Sequence, residues 1–393
     1  MKHLRRVALL TSLALFFGAV SAAAAPAISA ADISRVFAQI SSSPTLGGPS
    51  MILIDRTTGE IVFQKDATSL RKPASILKLL STTAALEYLD PNYRYVTRVA
   101  KGLNPRTLVI SGNLDPWMTG SYFEANKYHR AWLQYLTNRS IADLKAIETS
   151  PLRNVSIQYS GLYSNDVGFL KRSFIAQGIT PKFKEISANH VDSVSGPEIA
   201  QVTSPPVSEM VKFALTWSDN LLAERLARAA AHAVGFPMDD AGVAQTIKKV
   251  LTDLQVDQSG LFIHDGSGLS HEDRVTAKLI ADLLLKIRGN ARFASLYEGL
   301  PISGISGTLE SRFINTAPQA VGLVHAKTGT LDGTVSLAGY VESGTHEYIF
   351  VAIADHIHKG DFAANQARST LDRLLGKITA PLELSAASTT KQN

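Results

Sequence analysis

Apolar residues along this chain change their spacing several times, and each change marks an element. Ile33, Val36, Phe37 and Ile40 recur at helical intervals, which predicts a helix over Ala31–Ile40 ended by a Ser/Pro/Gly break. Met51–Asp55 and Glu60–Lys65 are rich in β-formers and flank Arg56-Thr-Thr-Gly59, the pattern of a hairpin with glycine at its turn. Pro73 then opens a stretch to about Tyr88 in which Ile76, Leu77, Leu80, Ala84 and Leu86 keep helical phase. Proline suits a first helical turn, where its missing N–H costs nothing.

From about Asp90 to Ser204 the pattern breaks into short strand-like runs, Tyr95–Val99, Leu108–Ser111 and Val155–Tyr159, among Gly, Asn, Pro and Ser. Helical spacing returns at Val207–Thr216 and Leu221–Val234. Gly322–Thr328, Val335–Val341 and Tyr348–Ala354 read as strands, and Phe362–Leu375 as a closing helix. The first hairpin and these three strands predict an α/β fold of the α+β kind. Its centre is a five-stranded antiparallel sheet flanked by helices, with a mixed α/β insertion lobe. Residues 31–90 and 205–380 would form the main domain, 91–204 the inserted lobe and 381–393 a flexible tail.

Composition narrows this picture at the N-terminus. Lys2, Arg5 and Arg6 precede the apolar run Val7–Val20 and the small residues Ser21–Ala25, so residues 1–30 read as an export signal. The alternative is an uncleaved membrane anchor, since no charge falls between Val7 and Ala31. The expected destination is the periplasm or cell envelope. The chain has no cysteine, which excludes both a lipid-modified cysteine and a disulfide framework. Three of its five net positive charges lie in residues 1–30, so the remainder gives no electrostatic case for nucleic-acid binding. The sequence sets no oligomeric state.

Three polar motifs carry the chemistry: Ser75-Ile-Leu-Lys78, Ser218-Asp219-Asn220 and Lys327-Thr328-Gly329-Thr330. Ser-x-x-Lys also occurs at Ser69 and Ser388, and Ser-x-Asn also at Ser111 and Ser187, whereas Lys-Thr-Gly is unique. Ser69 precedes Pro73, in a segment biased to extended structure, and Ser388 lies in the polar tail. Ser75 and Lys78 share a face of the first helical turn, and Ser218 lies in a break between two helices.

Together these residues suit acyl transfer through an acyl-serine. Lys78 can deprotonate Ser75 only when neutral, which burial and the charge of Lys327 would favour. The N–H groups of Ser75 and Thr330 would form an oxyanion hole. Ser218 could relay a proton, Asn220 could bind a substrate amide, and Lys327 with Thr328 could hold a carboxylate. His356-Ile-His358 lacks a supporting cluster and reads as surface or packing residues rather than metal ligands. Trp117, Tyr122, Tyr128 and Trp132 read as a small aromatic core.

Beyond the three motifs the chain carries Ser204-Pro-Pro206, Asp265-Gly-Ser-Gly-Leu-Ser270 and Gly307-Thr-Leu309 with Arg312. From about Met51 to His356 it resembles the penicillin-binding-protein-4-like D-alanyl-D-alanine carboxypeptidase/endopeptidases of the serine penicillin-binding protein and β-lactamase superfamily. The resemblance implies a β-lactamase/transpeptidase-like sheet, with Ser75 acylated and Lys78 as general base. Ser218 and Asn220 would be the second motif, and Lys327, Thr328 and Gly329 the third. It implies action on D-Ala-D-Ala bonds of peptidoglycan stem peptides, inhibition by β-lactams, and no metal or cofactor. Departures are the 143-residue interval from Ser75 to Ser218, His271-Glu-Asp273 where Arg-x-Asn is common, and Asp355-His356 where Asn is common. A β-lactamase and a non-catalytic envelope-binding protein are the competing readings.

Overall fold

The computed structural model describes residues 28–147, 152 and 154–379. Nearly all of the expected export signal, and the whole of the expected tail, lie outside the described residues. Ten strands are present among those described. They are β1 (Ser50–Asp55), β2 (Ile61–Lys65), β3 (Arg94–Gly102), β4 (Thr107–Ser111), β5 (Ser156–Ser160), β6 (Lys182–Glu185), β7 (Ser195–Pro206), β8 (Val324–Leu331), β9 (Thr334–Ser343) and β10 (His346–Ala354).

The first hairpin and the three C-terminal strands form one sheet in the order β2-β1-β10-β9-β8, with every neighbouring pair antiparallel. Its central strands β1, β10 and β9 are covered on both faces, so they read as nearly continuous apolar runs, while the edge strand β2 stays partly exposed. Alternate residues serve separate cores. Ile52, Ile54, Ala338, Tyr340, Ile349 and Val351 join one cluster, and Met51, Leu53, Leu337, Val341, Phe350 and Ala352 join the other. This period of two also divides the third motif. Lys327 pairs with Ala338 and Thr328 with Leu337, so neighbouring motif residues face opposite sides of the sheet.

The helices are α1 (Ala30–Ser41), α2 (Lys78–Tyr88), α3 (Tyr122–Tyr128), α4 (Leu133–Ile147), α5 (Ser164–Ala176), α6 (Val191–Val194), α7 (Val207–Thr216), α8 (Asn220–Ala233), α9 (Asp240–Asp253), α10 (Ala277–Ile287), α11 (Ala294–Glu298) and α12 (Asp361–Thr379). α1 and α12 cover the Leu53–Phe350 face. α2 and α7 to α11 cover the Ile52–Tyr340 face.

A second sheet, in the order β6-β5-β4-β3-β7, is built from residues 94–206. It is parallel across β4-β5 and β5-β6 and antiparallel elsewhere, with α4 and α5 packed on its own core. Its edge strand β7 is the element that the sequence pattern hides. Twelve residues long and half-exposed, it contains Pro197, Pro205 and Pro206, which an edge strand accommodates because an outward N–H is not needed for pairing.

Two expectations are corrected. Pro73 does not open a continuous α-helix: Ala74–Leu77 form a 3-10 turn, and α2 begins only at Lys78. The four insertion aromatics do not form one core. Trp117 packs on Tyr128 and on Phe213 of α7, whereas Tyr122 is exposed and pairs edge-on with Trp132. Among the described residues no helix is long and apolar enough to cross a membrane.

Candidate active site

Ser75 lies in the 3-10 turn, and this tighter geometry brings it to Lys78. With three residues per turn, side chains at i and i+3 eclipse. Lys78 Nζ consequently lies 2.9 Å from Ser75 Oγ. The turn is strained at its start, since Ala74 is buried with φ of 50°. Such a conformation in a non-glycine residue persists only where packing over-determines it. Here Gly268 supplies the packing: a Cβ on it would lie 2.0 Å from the Ala74 carbonyl oxygen.

Lys78 is fully buried, and Nζ has two further acceptors, Asn220 Oδ1 and the Ser267 carbonyl, each at 2.7 Å. Asp265 places that carbonyl. Its carboxylate accepts from the backbone N–H groups of Ser267, Gly268 and Ser270, closing a tight turn around one acid. Glu224 of α8 accepts from Gly266 N–H at 2.6 Å and ties the same turn to the helix that begins with Asn220. Burial pushes the Lys78 ammonium down to about 8, against the opposing pull of Asp265, Asp219 and Glu224. The expected effect of burial is the main cause, whereas the expected repulsion between the two lysines falls on Lys327 rather than on Lys78.

Lys327 is also fully buried, on the α2 side of β8. Its Nζ donates to Ser218 Oγ at 2.9 Å and to the Thr328 carbonyl at 2.8 Å. Burial first, and then the charge of Lys78, holds it well below the ordinary lysine range. Ser218 is set by the loop between α7 and α8, with φ of 58°, and Asp219 caps α8 by accepting from Leu222 N–H. Asn220 therefore starts the helix with its amide oxygen on Lys78.

Gly329 lies directly against the nucleophile's backbone. A Cβ there would meet Ser336 Oγ at 2.2 Å, the Pro73 carbonyl oxygen at 2.9 Å and Ser75 N at 3.0 Å. Only glycine lets β8 approach this closely. Thr328 and Thr330 take the alternate phase: Thr328 Oγ1 lies 2.7 Å from Thr308 Oγ1, and Thr330 is exposed. A cavity of about 410 Å³ opens here, walled by Ser75, Ser218, Thr308, Thr328 and Thr330, with Arg312 and Arg368 beside them.

All eight residues singled out in the sequence thus converge on one region. Asp265-Gly-Ser-Gly268, whose composition reads as a tight turn, forms one around the Asp265 carboxylate, but sequence reasoning missed that this turn presents the Ser267 carbonyl to Lys78. It also missed Arg368, whose position on α12 carries no local motif. His356 contacts Arg71 and Asp355, which agrees with a surface or packing role.

The D-Ala-D-Ala carboxypeptidase 3 (S13) family matches residues 33–127 and 153–378. The carboxypeptidase DacB of Mycolicibacterium smegmatis is 28% identical over 359 residues, covering 81% of this chain and 78% of its own. The structure of penicillin-binding protein 4 from Haemophilus influenzae superposes with a TM-score of 0.68 at 17% identity, over 88% of this chain and 98% of the other. A predatory peptidoglycan endopeptidase from Bdellovibrio bacteriovorus shares the fold at a TM-score of 0.54 and 18% identity, over 84% and 92% of the respective chains. The chain belongs to the D-Ala-D-Ala carboxypeptidase 3 (S13) family of hydrolases and shares its fold with penicillin-binding protein 4.

Proposed function

We propose that the enzyme hydrolyses D-alanyl peptide bonds of peptidoglycan stem peptides through an acyl-enzyme on Ser75. The observation that carries this reading is the set of acceptors around Lys78 Nζ. Asn220 Oδ1 and the Ser267 carbonyl can only accept hydrogen bonds, so a neutral Lys78 spends both its N–H groups on them. Its lone pair is left for the third neighbour, the Ser75 hydroxyl. A lysine held at about 8 is neutral in roughly a tenth of molecules at pH 7, far more than an ordinary lysine.

Ser75 Oγ gives its proton to Lys78 and attacks the carbonyl carbon of the penultimate D-alanine. The Ser75 and Thr330 N–H groups receive the negative charge on the carbonyl oxygen. As the C–N bond breaks, the proton passes from Lys78 through the Ser218 hydroxyl to the departing amine. Water then cleaves the ester, returning Ser75. Asn220, with its oxygen on Lys78, turns its NH₂ group toward the acyl side of the substrate.

β-Lactams would acylate the same serine. The Haemophilus protein forms a complex with a β-lactam, and the Bdellovibrio endopeptidase is acylated by penicillin G. The residues lining the cavity include no Asp or Glu, so no carboxylate is at hand to activate water quickly. This favours a long-lived penicillin adduct over β-lactamase turnover. Because peptidoglycan lies outside the cytoplasm, we assign the protein to the cell envelope, with residues 1–30 as its export signal and 91–204 as an inserted domain. The test is incubation with diacetyl-L-Lys-D-Ala-D-Ala and with cross-linked muropeptides. Release of D-alanine is expected, and cleavage of the dimers would add endopeptidase activity. Failure to process either substrate would contradict the proposal.

A further inference from the structure

Four cations surround the catalytic cavity, and only one stands ready for an anion. Lys78 and Lys327 are fully buried, with their Nζ groups engaged by Asn220, Ser267, Ser218 and Thr328. Arg312 is neutralised by Asp372, whose side chain is almost completely buried. Arg368 differs. Its Nη2 donates to Thr330 Oγ1 at 3.0 Å and its Nη1 to Asn365 Oδ1 at 2.6 Å, both uncharged partners. It forms no ion pair with any described Asp or Glu. Burial, and the charge of Arg312 beside it, act against its positive charge and outweigh the longer-range attraction of Asp361 and Asp372.

A guanidinium stays protonated regardless, so this is a half-buried cation with no carboxylate in ion-pair contact among the described residues, on the wall that holds the nucleophile. Its unused N–H groups match a carboxylate in the paired geometry that arginine favours. Thr330 Oγ1 accepts from Arg368, which leaves its own proton free for the same anion. The third motif places Thr330 three residues after Lys327 and one after Gly329, within the stretch that meets the Ser75 backbone.

We infer that Arg368, with Thr330, binds the α-carboxylate of the leaving D-amino acid. This rests on the proposed reaction and assigns the carboxylate to α12 rather than to Lys327 and Thr328. Lys327 is fully buried with its hydrogen bonds committed to Ser218 and the Thr328 carbonyl, whereas Arg368 carries a permanent charge on the cavity wall. The subsite makes the enzyme selective for peptides whose leaving residue keeps a free carboxylate. Terminal D-alanine does so, as does a D-centre released from a cross-link with that group unblocked.

The experiment compares two peptides that differ only in the leaving group, one ending in D-Ala-D-Ala and the other in D-Ala-D-alaninamide. The wild-type enzyme is expected to prefer the free acid in kcat/KM. Arg368→Gln should reduce that preference by about tenfold to a hundredfold, chiefly through KM for the acid, with a smaller loss on the amide. Arg368→Lys should restore part of the preference, since it keeps the charge without the paired donors. An unchanged acid-to-amide ratio in Arg368→Gln, or an equal loss on both peptides, would overturn the inference. If the wild-type enzyme processes neither peptide, the proposed reaction itself fails. The subsite is then judged by calorimetric binding of the free-acid peptide, which Arg368→Gln must weaken at least about tenfold for the inference to stand.

Discussion

The Ser267 carbonyl oxygen lies 2.7 Å from Lys78 Nζ, held by a turn whose hub is the Asp265 carboxylate. This contact orients the base: it occupies one N–H of Lys78 as Asn220 occupies another, and aims what remains at Ser75. Burial supplies the neutral amine and the turn supplies its direction.

Removing the base tests that division of labour. Lys78→Met should slow acylation by a fluorescent penicillin by about 10²- to 10⁴-fold, the range for a positioned general base. Pre-steady-state fluorescence gives the rate. Near-wild-type acylation would mean that another group deprotonates Ser75.

The neutral form of Lys78 also sets a pH profile. With its ammonium held at about 8, kcat/KM should rise with pH up to about 8 and level off above it. Asp265 stabilises the ammonium, so Asp265→Asn should move the rising limb to lower pH, even where the altered turn lowers the plateau. A limb that stays in place in this variant would contradict the assignment to Lys78.

The same depressed lysine makes folding pH-dependent. Unfolded, Lys78 binds its proton up to about 10.5; folded, it loses it above about 8. Between those values the unfolded state holds more protons, so stability rises with pH, by about 3 kcal/mol in total from this group. Below about 8 both states are protonated, and the cost of a buried ammonium is fully present. Lys327 acts with the same sign. Urea midpoints should therefore increase from pH 8 to 9.5, and Lys78→Met should flatten the slope. A midpoint that falls over this interval would count against both buried lysines.

Gly329 has no room for a side chain. Gly329→Ala forces a methyl group against Ser336 Oγ and the Ser75 backbone, and should cost about 1–3 kcal/mol as overpacking does. Acylation should fall further than stability, because β8 must move away from the nucleophile. Thermal unfolding and penicillin labelling measured on one preparation separate the two effects.

Arg312 and Asp372 form a pair in which both side chains are largely buried. Arg312→Ala leaves the buried carboxylate without its paired cation, with only the Thr316 hydroxyl, among the described residues, donating to it, and should destabilise the fold by about 3–5 kcal/mol. The double variant Arg312→Met with Asp372→Leu should recover most of that loss. Denaturant unfolding of the single and double variants checks both statements.

The five-stranded sheet was legible because its central strands are apolar enough to be buried on both faces and because Arg56-Thr-Thr-Gly59 marks the hairpin. The eight residues of the three motifs were legible from order and local context. β7 was obscured, since a half-exposed edge strand with prolines has neither strict alternation nor a continuous apolar run. The 3-10 turn at Ser75 was missed because Ala74 adopts a left-handed conformation packed against Gly268, which is distant in sequence. Arg368 was invisible for the same reason. Its importance comes from tertiary packing of α12 beside β8, and one arginine on a closing helix has no pattern to betray it.

The most direct measurement is mass mapping of the covalent adduct formed with penicillin G. After proteolysis, the account predicts one modified peptide with the penicilloyl group on Ser75, and no adduct in Ser75→Ala. An adduct on another serine, or undiminished labelling of Ser75→Ala, would contradict the central claim.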